Sequence, residues 1–197
     1  MDEIHWQMFE QFFDFLGRYR YIPPADVEMI SRHLQTRHVV DGEVLMEKGQ
    51  YARELYFITK GVLKIIVTNS KGDSVTQFFI PENRLCTILS SFNNNIPANE
   101  GIVAACDTEM IVLTQKNLAK IYVDVPYFKL LLDGIMQQAL LAKIALRGGY
   151  LGEDATTRYH TFLREQPDIA LRVSLNDIAS YLEITPQSLS RIRRAIK

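Results

Sequence analysis

Near the C-terminal end of this 197-residue chain, Gln187, Arg191 and Arg194 recur at i, i+4 and i+7, with Ser188, Ser190 and Arg193 beside them. On a helix this spacing gathers an amide, hydroxyls and guanidinium groups on one side, while Leu189, Ile192 and Ile196 fall on the other. Those polar groups suit base edges in a DNA major groove and the flanking phosphates. Gln187 and Arg191 are assigned to base edges; Ser188, Ser190, Arg193 and Arg194 are assigned to phosphates. From Thr185 to Lys197 there are four cations and no acid. Thr185 is a good N-cap and an additional phosphate donor, and Pro186 needs no N–H in the first helical turn.

An element must hold that helix. Ser174 followed by Asp177 reads as a capping-box-like start. Ile178, Ala179 and Leu182 then recur at helical spacing, with a small residue where a second helix crosses. Two capped helices joined by about three residues read as a helix-turn-helix. An ordinary basic terminal helix on a bundle would show the charge but not the paired caps.

Composition sets the frame. At 47% hydrophobic and 23% charged residues the chain can build real cores, and its net charge of −1 gives no global pull toward nucleic acid. Any DNA binding must come from local field, because the cations gather at the very end. The first 13 residues carry acids and no basic segment, unlike a signal peptide. The richest apolar run, 130–146, is interrupted by Asp133, Gln137, Gln138 and Lys143, so no membrane span is expected. Cys86 and Cys106 make neither a metal cluster nor a disulfide framework, and read as small apolar residues in a reducing cytoplasm. No catalytic residue, metal site or cofactor is expected. The four histidines lack ligand spacing, and no Walker loop, G-x-G-x-x-G or G-x-S-x-G elbow appears.

Taken in order, residues 4–16 and 25–34 read as helices. Trp6, Phe9, Phe12, Phe13 and Phe15 give the first a packed aromatic face. From His38 the period becomes two, with runs near 37–46, 54–59, 61–68, 74–80, 101–106 and 109–114 punctuated by Gly42, Gly49, Gly61 and Gly72. This predicts an antiparallel roll or barrel within an α+β chain. Asn93-Asn94-Asn95 reads as a solvated loop tip. After a short helix at 116–123, Pro126 opens a long one in which Phe128, Leu132, Ile135, Ala139, Ala142 and Leu146 form a heptad seam. Gly148, Gly149 and Gly152 follow as a hinge, then a helix at 155–165.

The order IASYLEITPQSLSRIRR resembles the DNA-binding module of the Crp/Fnr (catabolite activator and fumarate-nitrate regulator) family. DGEVLMEKGQYARELYFITKGVLKI resembles the β-roll of cyclic-nucleotide-binding domains. The resemblance implies a sensor roll with N-terminal helices at 1–124, a dimerisation helix and hinge at 125–151, and a DNA-binding domain at 152–197. It makes Gly42, Gly49 and Gly61 corner glycines, and places the heptad seam at a two-fold dimer interface. The implied partners are double-stranded DNA with a palindromic operator, a second copy of the chain, RNA polymerase and a small-molecule effector.

Two departures matter. Cyclic-nucleotide binders hold their ligand with a Gly-Glu pair and a later Arg-Ser or Arg-Thr. Here Cys86 and Thr87 stand at the first pair and Ala98 and Asn99 at the second, which argues against cyclic AMP. Arg84 is the one cation in the cassette that can substitute. Glu183 occupies a turn position where such motifs place Gly, so the turn is either strained or differently shaped. The family's β-hairpin wing does not follow in this sequence, so the helix begun by Thr185 is expected to carry nearly all DNA contacts. Two alternatives stay open: a sensing or protein-interaction module whose helix-turn-helix does not read DNA, and a cyclic-nucleotide regulator with a non-standard phosphate site.

Overall fold

A computed structural model describes residues 3–196, with side chains for residues 5–195. Two helices, α1 (Glu3–Gly17) and α2 (Pro24–Ser31), precede the strands β1 (Gln35–Val39), β2 (Val44–Met46), β3 (Glu54–Lys60), β4 (Leu63–Thr68), β5 (Ser74–Ile80) and β6 (Leu85–Cys86). Then come α3 (Leu89–Asn94), β7 (Glu100–Ala104), β8 (Thr108–Thr114), α4 (Gln115–Asp124) and α5 (Tyr127–Gly148). The last elements are α6 (Ala155–Glu165), α7 (Pro167–Arg172), α8 (Leu175–Tyr181) and α9 (Pro186–Ile196).

The strands form two four-stranded sheets, ordered β1-β8-β3-β6 and β2-β7-β4-β5, with antiparallel pairing throughout. The expected run at 37–46 is thus two strands in different sheets, split at the Gly42 corner. Gly42, Gly49 and Gly61 have φ of 80°, 88° and 98°, as corner positions require.

Alternation along the strands divides their side chains between two cores. Tyr56 and Ile58 on β3, with Met110 and Val112 on β8, face the roll interior, where they meet Met46, Ile65, Cys86 and Ala98. Leu55, Phe57, Ile111 and Leu113 face outward and are covered by α1, α2, α4 and α5. Phe12 and Phe15 pack against Phe57 with tilted rings, centroids 5.1 and 5.0 Å apart. The aromatic stripe of α1 is therefore core, except that Trp6 stays exposed. A third core joins Val62, Phe79 and Ala105 of the roll to Tyr159, Phe162, Ile178, Tyr181 and Leu189. It crosses the boundary expected at residue 151. Among the described residues no helix is long and apolar enough to cross a membrane, and no His, Cys, Asp or Glu cluster is arranged to hold a metal.

At Gly61 a Cβ would collide with the carbonyl oxygen of Asp107 and the side chain of Thr108, whereas Gly42 has no atom within 4 Å of that position. In urea unfolding, Gly42→Ala should cost about 1–2 kcal/mol, the left-handed conformation alone. Gly61→Ala should cost about 2–3 kcal/mol or more. Equal losses would mean that the close approach at Gly61 is not resisted.

Candidate nucleic-acid interface

The helix-turn-helix is built from local signals. Ser174 caps α8 by accepting from the N–H of Asp177 at 3.1 Å. After α8 the N–H of Glu183 donates to Ser180 O (3.1 Å) and that of Ile184 to Ala179 O (3.0 Å). These two bonds are the paired closure of a Schellman motif, whose C′ residue is left-handed. That residue is Glu183, with φ 57°. The turn therefore has the shape glycine would give, on a residue for which that shape is strained. Ile184 folds back toward the core that holds Ala179.

Thr185 then caps α9, its hydroxyl accepting from the N–H of Ser188 at 3.1 Å. Leu189 is buried and Ile192 half-buried against the third core. Gln187, Arg191, Arg193 and Arg194 are exposed, while Ser188 and Ser190 are half-buried between the two faces. Ser190 accepts a long 3.5 Å hydrogen bond from Arg194. The side chain of Ile196, expected on the buried face, and Lys197 lie outside the described residues.

The five cassette residues do not converge on one site. Cys86 and Ala98 are both packed into the roll's apolar interior. Burial pushes the Cys86 thiol up to about 11. Thr87 is buried with its hydroxyl donating to Glu54 O at 2.9 Å, and Asn99 is exposed. Arg84 donates to its neighbour Asn83 O and lines a cleft outside the roll. The backbone of Ala98 is bonded into the turn around Gly49, accepting from Gly49 N and donating to Gln50 O. Beside Tyr56 and Ile102 the roll has a half-open pocket of about 150 Å³, below the usual 300–1,000 Å³ of a small-molecule site. Asn93 and Asn94 are exposed as expected, but they end α3 rather than sit in a loop.

The first half of the heptad seam needs correction. Phe128, Leu132 and Ile135 are 0%, 2% and 3% exposed, and they pack on α4 and the outer face of the roll. Ala139, Ala142 and Leu146 line the cleft between α5 and the roll. Phe128, Leu132 and Ile135 thus serve the chain's own fold, because a heptad seam fits an intramolecular neighbour as well as a partner helix, while Ala139 and Leu146 are half-buried and Ala142 is exposed. Two residues further along, about 200° around the helix, stand Leu130, Gly134, Gln137, Leu141, Ile144 and Gly148. Of these, Leu130, Leu141 and Ile144 are 77%, 60% and 60% exposed.

Residues 36–124 match the family model of the cyclic nucleotide-binding domain. No curated protein sequence matches the chain. Among solved structures, a protein from Eubacterium rectale described as a transcriptional regulator of the Crp/Fnr family is 18% identical, with TM-score 0.70, over 92% of this chain and 87% of that one. FixK2 from Bradyrhizobium japonicum is 20% identical, with TM-score 0.68, over 83% and 84%. The catabolite activator protein of Thermus thermophilus is 16% identical, with TM-score 0.55, over 92% and 86%. The likeness shows a shared fold, a cyclic-nucleotide-binding-type roll followed by helices.

In this chain the helix-turn-helix is fastened to that roll by contacts that motif reading does not reach. Lys64 of β4 is ion-paired with Asp177, both side chains mostly buried. The N–H of Thr76 on β5 donates to the Ser180 hydroxyl at 2.9 Å. Phe79 packs against Tyr181 with tilted rings, centroids 5.1 Å apart. Arg172, from α7, forks onto the Glu82 carboxylate, which also accepts from the N–H of Gly61 at 2.7 Å. These residues are far apart in sequence and carry no mutual spacing signal.

Burial alone would raise the Glu82 carboxyl. The Arg172 fork and the backbone donors outweigh it and hold the group below its ordinary 4.5. A depressed carboxyl stabilises the fold above its unfolded value and loses that contribution as pH falls through the folded value. The junction should therefore loosen in acid, below about pH 4.5, read by the near-ultraviolet circular dichroism of Tyr150 and Tyr181. Arg172→Gln should move that midpoint upward, since burial is then opposed only by backbone donors. An unshifted midpoint would place the acid transition elsewhere.

Proposed function

We propose that the chain is a homodimeric, sequence-specific DNA-binding transcription regulator of the Crp/Fnr type, whose roll does not take cyclic AMP. One observation carries the DNA reading. A correctly capped helix-turn-helix turns Gln187, Arg191, Arg193 and Arg194 to solvent on α9 while Leu189 anchors its back. The fold shared with a protein described as a transcriptional regulator of the Crp/Fnr family, and with a catabolite activator protein, supports it. Against cyclic AMP stand the apolar and uncharged residues at the four ligand positions, since a buried phosphate needs a guanidinium or a dense set of donors.

In this reading residues 1–124 sense, 125–151 dimerise and 152–197 bind DNA. Gln187 and Arg191 reach base edges. Ser188, Ser190, Arg193 and Arg194 hold phosphates, and the Thr185 hydroxyl is used chiefly as a cap. Two copies set their recognition helices one DNA turn apart, roughly 34 Å. Rotation at 148–152, where Gly152 has φ 79°, switches between states. That rotation has to part Lys64 from Asp177 and Phe79 from Tyr181.

Selection of bound sequences from random DNA tests the proposal, with an enriched palindrome as the expected result and none as its refutation. On the selected operator, Arg191→Ala should cost about 1–3 kcal/mol and relax preference at one base pair. Arg193→Ala should weaken all sequences alike and lower the salt slope by about one. An unchanged ratio of operator to random DNA in Arg191→Ala would remove that residue from base reading.

The dimer face is assigned to the exposed seam Leu130, Leu141 and Ile144, with Gly134 and Gly148 allowing close approach of an identical helix. A paired Leu141→Glu and Ile144→Glu variant should sediment as a monomer and keep the circular dichroism of the wild type. Were it to remain dimeric, the interface would have to lie elsewhere.

A further inference from the structure

Between the 81–85 segment, α5 and α7 lies a cleft of about 520 Å³, in the size range of small-molecule sites. Its lining is mixed, with apolar residues Phe79, Ile80 and Leu85 from the roll side, Leu146 from α5 and Ile169 from α7, and charged residues between them. Of the five cassette residues, Arg84 alone lines this cleft.

Most of the charges around it are already matched. Glu82 is held by Arg172, and Glu165 by Arg164 at 2.9 Å. Asp168 stands at the rim beside Arg172, which feels its charge. Lys143 is different. Its Nζ sits 5.4 Å from the centroid of the Phe78 ring and within electrostatic reach of the buried Cys86 thiol. Among the described residues it makes no hydrogen bond and no ion pair. Burial pushes its pKa below the ordinary lysine value. Arg84 also lines the cleft with only a carbonyl, Asn83 O, as partner.

An ammonium partly withdrawn from water without a counter-charge is unfavourable, and a methionine or leucine would cover the same apolar wall without that cost. A cation–π contact supplies only about 0.5–2 kcal/mol of compensation. An anion entering the cleft supplies the missing partner directly, and the walls supply burial for an apolar body.

We propose that this cleft binds a small organic anion, its charged head on Lys143 with Arg84 at the mouth, and its apolar body against Phe79, Leu146 and Ile169. Such a ligand touches the roll, α5 and α7 together, so it joins the sensor to the segment that carries the helix-turn-helix. The inference stands apart from DNA binding and survives its failure.

Isothermal titration of the full chain with octanoate, phenyl phosphate and the neutral octanamide tests it. One octanoate or phenyl phosphate per chain is expected, with octanamide at least about tenfold weaker and Lys143→Met losing about tenfold or more. Lys129→Met, at an exposed position paired with Asp133, should bind like the wild type. Should Lys143→Met misfold, Arg84→Gln serves in its place, with a smaller loss for the anions and none for octanamide. Absence of binding by both anions in the millimolar range, octanamide binding as well as octanoate, or anion binding indifferent to Lys143 would each overturn the proposal.

Discussion

A single helix, Tyr127–Gly148, has to present an apolar face to its own roll before it can present one to anything else. The face carrying Phe128, Leu132 and Ile135 is the one committed inward, since burying each such side chain contributes about 1.5–3 kcal/mol. Everything else on the helix is then placed by its period. Leu130, Leu141 and Ile144 emerge on the opposite side, and Lys143 comes to lie over Phe78. Arg147 reaches the turn between α8 and α9. One rotational choice thus sets the free apolar face, the cleft and the support of the helix-turn-helix.

The roll meets a related constraint. Both faces of β3 and β8 are buried, outward by helices and inward by Met46, Tyr56, Ile65, Cys86 and Ala98. Side chains therefore occupy much of the interior, and little volume is left beside Tyr56. Tyr56 itself is almost fully buried, and its hydroxyl donates to Glu54 at 2.8 Å. Burial and that carboxylate both push the phenol well above its ordinary value, so it stays a neutral donor. A roll filled in this way has room for a ligand at its boundary more than at its centre, and the boundary with α5 and α7 is where the 520 Å³ cleft opens.

The parts of this fold that were legible in the sequence are those whose cause is local. Caps at Ser174 and Thr185, the corner glycines and the two-residue period need only neighbouring residues to act, and the structure forms each of them. Short elements were not legible: β6 has two residues, and α3 and α7 six each, too few for any period to show. The seam on α5 was legible as a seam, yet its partner was not, because spacing records an apolar face and not what covers it. Lys143 appeared only as an interruption in an apolar run. The fastenings at Lys64–Asp177 and Glu82–Arg172 join residues 113 and 90 positions apart, which no local pattern reports.

Glu183 shows how such distant contacts settle a local oddity. A left-handed, non-glycine residue costs on the order of 1–2 kcal/mol. Its carboxylate accepts from Arg147 at 2.6 Å, and the same guanidinium donates to Tyr181 O at 3.2 Å. Both partners of the ion pair are substantially solvent-accessible, so the pair offsets only about 0.2–1 kcal/mol. The two backbone bonds that close the turn, and the seating of Ile184 against the core, have to carry the remainder. Because Arg147 is the last residue before Gly148, movement beginning at that glycine would separate the guanidinium from the turn it supports. The strain at Glu183 would then go less compensated, which ties the shape of the helix-turn-helix to the orientation of α5.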